Sequence, residues 1–428
     1  MFLDLKTKEI IAKLESCGYE TYVVGGACRD SIIERPINDL DIVTTATLEE
    51  IKDVFPDEHF VSYQKGITLG LVYNKRLIDI SSTNEKTIEE DILRRDFTIN
   101  TLLYHPNRGW TDYLNAKFDI DNKIIRSVSE PNKMIRNDPL RILRAIRFEA
   151  QLGYKIDSSL KNAMLSNQHL LLTVANERIK DELSKILMVD IPSNYFREYI
   201  EIFDKILPGL YQMKDCKQHN KYHIYDVFEH TLKVIDYTRP ILVLRLAALF
   251  HDFEKPKCFF MDDNKVGHFY GHDKESANTA KSILKKLHFP YKDIDRVVNL
   301  ILYHDYRLSL DEKKLIKFLG KFGLKDLDLL FALKRADVLA QNHEYIDRIY
   351  ELDEIEKMIY NLIESKKFIT KELLNIKALD LIDMGYPLDK TISTTLNILL
   401  QLVRENKLEN KEEVLKDYAR KLINNDEI

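Results

Sequence analysis

The spacing of apolar residues changes along the chain, and this change limits the possible folds more than any other feature of the sequence. Three early segments, YETYVVGG, LDIVTT and ITLGLVYNKRLIDISS, are typical of strands, and the last one favours a hairpin with its turn at Asn74–Lys75. From residue 130 to residue 428, apolar residues recur at helical spacing between short breaks of Pro, Asn or Gly. We therefore predict an α+β fold in which a small α/β head precedes a long, all-α body.

Length, charge and cysteine content narrow the class of protein. A chain of 428 residues is too long for one hydrophobic core, so we expect roughly two to four domains. Its 64 basic residues are balanced by 69 acidic ones, which excludes a uniformly basic surface and leaves local patches for an anionic partner. The four cysteines form no CxxC pair, and no segment is long and apolar enough to cross a membrane. We therefore expect a cytoplasmic protein with reduced thiols and no membrane partner.

The segment RNDPLRILRAIRF, residues 136–148, concentrates positive charge in a chain whose net charge is −5. Arg141, Arg144 and Arg147 are spaced three apart, so on a helix they share one broad face. The opposite, core-facing stripe carries Leu140, Leu143 and Ile146. A solvated amphipathic helix would explain this pattern, but the arginines have no acidic partner four residues away. The alternative is a face that binds an anion.

A pair of acidic residues follows a double glycine in GGACRDSIIERPINDLDI. Asp39 and Asp41 lie on the same face if the segment is a strand, because side chains alternate with a period of two. Two carboxylates held this close favour a cation such as Mg²⁺, and Asp79 in LIDIS can supply a third. A diglycine turn before a helix lets backbone N–H groups approach a phosphate. This set suits attack of a hydroxyl group on a nucleotide α-phosphate with two Mg²⁺ ions.

Three motifs occur in a fixed order: GGACRD…DLDI, then RRDFTIN at residues 94–100, then DPLRILRAIRF at residues 138–148. Together they resemble the tRNA nucleotidyltransferase family of the bacterial and eukaryotic class, which includes bacterial poly(A) polymerases, over roughly residues 10–190. The resemblance implies a polymerase-β-like head that adds C, and A, from CTP and ATP to the 3′ end of tRNA without a template.

The resemblance also implies roles for individual residues. Asp39 and Asp41 would hold Mg²⁺, and Asp79 would help to activate the 3′-hydroxyl of the primer. The implied nucleotide-binding residues are Gly25, Gly26, Arg29, Arg95, Asp96, Asn100, Asp138, Arg141, Arg144 and Arg147. Among these, Asp138 and Arg141 would read the base, because a carboxylate only accepts hydrogen bonds and a guanidinium only donates them. Cytosine and adenine offer an amino group to Asp138, whereas uracil and guanine present a carbonyl there.

The chain departs from the family pattern at two places in the head. Asn137 stands where the family commonly has an acidic residue, so the base-reading segment has one negative charge fewer. The connection between Asp79 and Arg94 is short, residues 80–93, where members that add all of CCA usually carry a longer loop. This short connection resembles the subgroup that adds only the two cytidines, and we predict a CC-adding form.

Most of the twelve histidines fall between residues 219 and 304. The segments HIYDVFEHTLKV, LAALFHDFEKP, HFYGHDKESA and ILYHD resemble, in their order, an HD-type metal-dependent phosphohydrolase domain. The resemblance implies one divalent metal ion on His230, His251, Asp252 and Asp305, with His272 and His304 for a second. Such mixed ligands suit Mn, Fe, Ni or Zn. Lys255 would add positive charge, and Glu254, where the family usually has glycine, would crowd or recharge the metal site.

Residues 312–428 are predicted to be helical, with lysine-rich faces such as EKKLIKFLGKFGLK, and the segment 374–423, from LNIKALDLID to DYARKLI, resembles the C-terminal segment of the family. The resemblance implies that this segment holds the acceptor–TΨC arm of tRNA through its backbone. We predict four domains: the head (1–128), a helical neck (129–205), the HD domain (206–312) and a helical tail (313–428).

Three other functions fit parts of the sequence. A poly(A) polymerase shares the head motifs, an HD phosphohydrolase could use the head only to bind RNA, and a nucleic-acid-binding protein need not be an enzyme. The last alternative leaves both clusters of acidic residues unexplained.

Overall fold

A seven-stranded sheet forms the N-terminal part of the computed structural model, which describes residues 4–37, 39–62, 68–73, 76–83, 86–365, 368–369, 371–405 and 407–424. The strands are β1 (Thr21–Val24), β2 (Asp41–Thr44), β3 (His59–Ser62), β4 (Thr68–Tyr73), β5 (Arg76–Ser82), β6 (Leu103–His105) and β7 (Gly109–Thr111). They are arranged in the order β3-β4-β5-β2-β1-β6-β7, and β2 and β5 run parallel. The predicted hairpin is confirmed by the antiparallel pairing of β4 with β5, whereas its turn lies outside the described residues.

Two compact units divide the chain, one of residues 1–211 with 286–289 and the other of residues 212–285 with 290–428. Beyond its sheet, the first unit contains the short strands β8 (Ile124–Ile125) and β9 (Lys155–Ile156). Its helices are α1 (Leu5–Ser16), α2 (Gly26–Ile32), α3 (Leu48–Val54), α4 (Ile88–Ile92), α5 (Ala116–Asp121), α6 (Pro131–Asn137), α7 (Arg141–Leu152), α8 (Ser158–Asn167), α9 (Asn176–Leu187), α10 (Ser193–Glu198) and α11 (Ile200–Ile206).

The arginine-rich segment is not one continuous helix. Helix α6 ends at Asn137, Asp138 is extended with φ −149° and ψ 95°, and α7 begins at Arg141. The break has a simple cause, because Pro139 disfavours helical geometry at the residue before it. Within α7 the predicted stripe is confirmed, since Leu143 and Ile146 are fully buried. The break gives Asp138 a backbone direction that a helix would not allow.

The second unit is helical apart from the two-residue strands β10 (Phe260–Met261) and β11 (Gly267–His268). Its helices are α12 (Val227–Tyr237), α13 (Leu242–Phe250), α14 (Lys255–Cys258), α15 (His272–Lys286), α16 (Tyr291–His304), α17 (Glu312–Phe322), α18 (Leu327–Leu339), α19 (Arg348–Glu364), α20 (Ala378–Asp383), α21 (Lys390–Arg404) and α22 (Glu412–Asn424). Helices α12, α13, α16 and α18 pack on one another.

The predicted class is confirmed, with a mixed α/β head followed by a helical body. The C-terminal helices α20–α22 have a small core of their own, centred on Leu381, Leu399 and Leu415. Among the described residues, no helix has the length and apolar character that spanning a bilayer requires. The division into four domains stays a prediction.

Candidate functional site

A cavity of about 420 Å³ in the first unit lies where β1 turns into α2, beside the start of β2 and the arginine face of α7. It brings together ten of the residues predicted for the head. These are Gly25, Gly26, Arg29, Asp39, Asp41, Arg95, Asp96, Asn100, Arg144 and Arg147. The three other predicted residues, Asp79, Asp138 and Arg141, are not among the described residues that line it.

The acidic residues of the head face one another across two parallel strands. Asp41 on β2 is paired in register with Asp79 on β5, so the third carboxylate stands directly beside the second. Burial raises the pKa of Asp41, and the negative charges of Asp79 and Asp39 raise it further, against the opposing charge of Arg95. Three carboxylates that repel one another form an oxygen-only donor set, which fits Mg²⁺.

Gly25 allows the chain to pass close to this acidic pair. Its φ of +78° is unfavourable for any residue with a side chain, and a Cβ atom there would lie 3.2 Å from Oδ2 of Asp41. The same Cβ atom would lie 3.8 Å from a guanidinium nitrogen of Arg95. Glycine therefore avoids backbone strain at this position and leaves room for Asp41.

A substitution at Gly25 should separate these two requirements. We expect Gly25→Ala to destabilise the fold by about 1–3 kcal/mol through backbone strain. The variant should also lower the nucleotide addition that the resemblance implies, at least about tenfold, by displacing Asp41. Gly109→Ala is the matched control, because Gly109 has a φ of +75° but nothing lies within 4 Å of its added Cβ atom. Urea unfolding should show that both variants are destabilised. CTP incorporation should show that only Gly25→Ala adds nucleotides more slowly. Equal addition by the two variants would contradict this prediction.

Three of the four arginines that line the cavity are held by buried partners. Arg144 donates from Nε to Oδ2 of Asp96 at 2.7 Å, and Arg147 donates from Nε to Oε2 of Glu182 at 2.5 Å. Arg29 donates from Nη1 to Oδ1 of Asn100 at 2.7 Å. All three guanidinium carbons lie 4.0 to 5.5 Å from the centre of one aromatic ring, that of Phe148. The cations are thus fixed in place before any ligand binds.

Asp96 serves as a buried anchor within this group. Although burial opposes its charge, Arg144 and hydrogen bonds from Asn100 and the Phe97 N–H hold the pKa of Asp96 below its ordinary value. The lowered pKa keeps the carboxylate ionised, and with only 8% exposure it is committed to protein partners. The geometry gives Asp96 a direct contact with Arg144, whereas its predicted contact with a nucleotide stays a prediction.

The predicted base-reading pair has partners that the sequence did not reveal. Arg178 on α9 donates to both carboxylate oxygens of Asp138, at 3.1 and 2.8 Å. Arg141 donates instead to the backbone carbonyls of Met134 and Arg94, at 3.3 and 2.6 Å. Arg178 and Glu182 lie one helical turn apart in ANERIKDELSKIL. This spacing, which puts both side chains on one face of α9, was the signal that could have identified them.

Four buried histidines form a cluster in the second unit, and each has the same backbone contact. The Nδ1 atoms of His230, His251, His272 and His304 contact the carbonyls of Ala340, Ala248, Phe269 and Ile301, at 3.3, 2.8, 2.8 and 2.6 Å. Because a carbonyl can only accept, Nδ1 carries the proton of each neutral ring and Nε2 has a free lone pair. Metal-binding histidines show this arrangement.

The Nε2 atoms of these histidines face one another in pairs. The distance is 3.4 Å between His230 and His251, and 3.3 Å between His272 and His304. Asp252, which is 1% exposed, lies between the pairs, with Oδ2 3.1 Å from His251 and Oδ1 3.3 Å from His272. Two facing lone pairs repel each other unless a cation lies between them. The donor set therefore fits two divalent ions that share Asp252, and imidazole with carboxylate suits Mn, Fe, Ni or Zn.

The carboxylate that completes this cluster is Asp337 and not the predicted Asp305. Oδ1 of Asp337 lies 2.9 Å from Nε2 of His230, and both belong to a group that also contains His223. Asp305 is exposed at the end of α16 and lies outside the three potential metal-binding groups of the described residues. The reason is geometric, because consecutive residues at a helix end are about 100° apart, and His304 already occupies the inward direction.

Three family models match the chain, in the order in which the motifs occur. The Poly A polymerase head domain matches residues 21–80 and 71–126, the probable RNA and SrmB-binding site of polymerase A matches residues 153–213, and the HD domain matches residues 227–342. The chain belongs to the tRNA nucleotidyltransferase and poly(A) polymerase family. The HD match includes every histidine of the cluster and Asp337, and the head match includes all three acidic residues of the sheet.

The chain is also similar in sequence and fold to known proteins of this family. The chain is 27% identical over 391 residues to the CCA-adding enzyme of Staphylococcus epidermidis, which covers 86% of this chain and 88% of that protein. It is 37% identical over 183 residues to the CC-adding tRNA nucleotidyltransferase of Halalkalibacterium halodurans, and this match covers 43% of this chain and 48% of that protein. The crystal structure of the Bacillus stearothermophilus CCA-adding enzyme in complex with CTP has the same fold. Its TM-score is 0.59 at 21% identity, over 99% of this chain and 98% of that one.

The departure of this chain from the family at Glu254 leaves the histidine cluster intact. The Glu254 carboxylate is buried and accepts hydrogen bonds from Thr279 at 2.7 Å and Lys257 at 2.9 Å. It lies outside the three potential metal-binding groups found among the described residues, and the expectation that it crowds or recharges the metal site stays a prediction. Lys255 brings its positive charge to the cluster, with Nζ 2.7 Å from Oδ2 of Asp252.

Proposed function

We propose that this family member adds two cytidines from CTP to the 3′ end of tRNA, without a template and without adding the terminal adenosine. The observation that carries the proposal is the 420 Å³ cavity in which Asp39 and Asp41 share one space with a diglycine turn and four arginines. A cavity with carboxylates at one side and fixed guanidinium groups at the other is suited to a metal-bound triphosphate.

Each part of the cavity has a separate task in this reaction. The backbone at Gly25 and Gly26, with Arg29, binds the triphosphate, and the anchored Arg144 and Arg147 orient the nucleotide. Mg²⁺ ions held by Asp39 and Asp41 would polarise the α-phosphate. Asp79, which stands beside Asp41, accepts the proton of the attacking 3′-hydroxyl. The hydroxyl oxygen forms the new bond to the α-phosphorus of CTP, the bond between the α- and β-phosphates breaks, and pyrophosphate leaves.

Selection of the base depends on the orientation of Asp138. Its carboxylate accepts a hydrogen bond from the amino group of cytosine, and the bidentate contact with Arg178 fixes the plane of that carboxylate. A base with a carbonyl at the same position leaves buried acceptors facing each other, which costs about 1–3 kcal/mol for each unpaired group. Arg178 is therefore a positioning residue for base selection.

The CC-adding form is supported by the chain between the sheet and α4. Strand β5 ends at Ser82 and α4 begins at Ile88, so few residues are available for a longer loop before Arg94. The Halalkalibacterium halodurans relative, 37% identical over the region it shares with this chain, is a CC-adding tRNA nucleotidyltransferase. The Staphylococcus epidermidis relative is a CCA-adding enzyme, so the two forms have to be separated by experiment.

Sequencing of reaction products separates these forms. Purified protein should be incubated with CTP and ATP and a tRNA that ends at the discriminator base, and the new 3′ ends should be sequenced. We expect products that end in CC, with further adenosine only after addition of an enzyme known to add A. Efficient addition of A by the protein alone would refute the CC-adding form. Long adenosine tails on an unrelated RNA would indicate a poly(A) polymerase instead.

A second activity is proposed for the histidine cluster, namely metal-dependent hydrolysis of phosphate esters. The facing Nε2 pairs of His230 with His251 and of His272 with His304 support it, because nitrogen atoms at this separation can share a divalent cation. A metal ion bound there would supply hydroxide at neutral pH. Helices α20–α22 are proposed to bind the acceptor–TΨC arm of tRNA through backbone phosphates.

A further inference from the structure

A second cavity of the first unit, of about 430 Å³, adjoins the cavity that contains the acidic pair. Lys185 on α9 lines both of them, so the two cavities meet at its side chain. The other charged residues of the second wall are Arg35, which follows α2, and Asp190. Two cations against one carboxylate give this wall a net positive charge. The second cavity is therefore suited to a small anion that leaves the first one.

Gln151 on α7 connects the two cavities through its hydrogen bonds. Its Oε1 atom accepts from Nη1 of Arg147 at 2.9 Å, and Arg147 lines the first cavity. Its backbone carbonyl accepts from Nη1 of Arg35 at 2.7 Å, and Arg35 lines the second cavity. A guanidinium group has five N–H donors, so this single contact fixes Arg35 in place and leaves most of its donors for a ligand.

Lys185 differs from the arginines of the first cavity because it has no acidic partner. Each of those four arginines forms an ion pair with a carboxylate, at distances of 2.5 to 3.0 Å. The pairs are Arg29 with Asp30, Arg95 with Asp91, Arg144 with Asp96 and Arg147 with Glu182. Lys185 is exposed and forms no hydrogen bond or ion pair with the residues that the structure describes. Its ammonium group therefore keeps three N–H donors and a full charge for a ligand.

We propose that Lys185 and Arg35 form an exit site for the pyrophosphate that each addition of cytidine releases. The arginines of the first cavity are fixed by their carboxylates, which suits a nucleotide that must be held still while its α-phosphate reacts. An unpaired ammonium group on a flexible stem suits the product, which is strongly negative and has to move. Lys185 binds the phosphate oxygens at the junction, and Arg35 receives them in the second cavity. The inference rests on the proposed nucleotide addition, because that reaction forms the pyrophosphate.

Product inhibition of CTP addition tests this exit site. The full-length protein should extend tRNA with labelled CTP and Mg²⁺ at increasing concentrations of pyrophosphate. We expect Lys185→Gln and Arg35→Gln each to raise the inhibition constant of pyrophosphate about tenfold, because one hydrogen bond from a charged donor is worth at least that factor. Arg35→Gln should leave the KM for CTP unchanged, since Arg35 does not line the first cavity. Lys180→Gln is the matched control, because Lys180 also lies on α9 and lines neither cavity.

A binding measurement without turnover separates the inference from the proposed function. Isothermal titration with magnesium pyrophosphate, in the absence of tRNA, should show weaker binding to Lys185→Gln and Arg35→Gln than to the wild-type protein and Lys180→Gln. Thermal unfolding of each variant confirms that the chain is folded.

The two ideas fail in different ways. If the wild-type protein adds cytidine and both variants keep the wild-type affinity for pyrophosphate, the exit site is refuted and the proposed function stands. If the wild-type protein adds no cytidine, the proposed function is refuted, whereas weaker pyrophosphate binding by the two variants still supports the anion site. A raised KM for tRNA in both variants, with unchanged pyrophosphate inhibition, would assign the two cations to the RNA backbone and overturn the inference.

Discussion

Asp41→Asn should abolish nucleotide addition, lowering the rate at least about a thousandfold, because the variant loses a charged oxygen ligand of the catalytic metal. The asparagine side chain keeps the shape of the aspartate and one hydrogen-bonding oxygen, so the cavity does not collapse. The substitution also removes one of three mutually repelling carboxylates, whose charges together with burial raise the pKa of Asp41. We therefore expect the thermal unfolding midpoint to be unchanged or higher. Single-turnover incorporation of labelled CTP into tRNA measures the loss.

Asp53→Asn is the matched control for this prediction. Asp53 lies on α3 in the same unit, is exposed and does not line the cavity, so its addition rate should equal that of the wild-type protein. The Asp41 variant should retain hydrolysis of phosphate esters, because the histidine cluster lies in the other unit. If Asp41→Asn loses both activities while its fold is intact, the proposal that addition and hydrolysis use two independent sites is contradicted. Retained addition would show that Asp41 does not hold the metal.

The glycine turn and the acidic pair could be predicted from the sequence because their geometry is local. Asp41 begins β2 and Asp39 lies two residues before it, so both are close to the cavity. A diglycine directly before a helix likewise fixes a local turn. The structure adds that Gly25 and Asp41 are so close that a Cβ atom would not fit without movement. This contact depends on how β1 and β2 pair, which the motif alone does not specify.

The partners of the arginines could not be predicted in the same way. Glu182 is 35 residues from Arg147, and Arg178 is 40 residues from Asp138, so both contacts depend on the packing of α9 on α7. Helical spacing indicated that the arginines share a face, but it could not show that Glu182 of another helix, α9, covers part of it. Part of the positive charge of α7 is therefore neutralised by acidic residues of the protein, and only the rest of that charge is available to a ligand.

The choice between two aspartates in the histidine cluster is the sharpest difference between sequence and structure. The resemblance of ILYHD and the preceding segments to an HD domain implied Asp305 as a ligand. The structure instead places Asp337 of α18 beside His230 of α12, because those two helices pack together. A metal ligand supplied by a distant helix has no local sequence signal, since an acidic residue on an amphipathic helix is usually only solvated.

Asp337→Asn should remove the metal from the histidine cluster, whereas Asp305→Asn should leave it bound. Replacing a residue that only supports a metal ligand typically costs tenfold to a hundredfold in affinity, so loss of a direct ligand should cost at least about a hundredfold. Oδ1 of Asp337 is 2.9 Å from His230, and Asp305 is an exposed residue after the end of α16. Elemental analysis of both purified variants, followed by titration with Mn²⁺, measures the difference.

The two aspartates are a matched pair, because each variant removes one negative charge from the lining of the same 600 Å³ cavity. A general effect of charge on metal binding would therefore weaken both variants equally, whereas a direct ligand weakens only one. Metal-dependent hydrolysis should be lost with the metal in Asp337→Asn, and CTP addition should be normal in both variants. If Asp305→Asn loses the metal and Asp337→Asn keeps it, the ligand set inferred from the HD resemblance was right and the geometry of α18 is not that of the metal-bound protein.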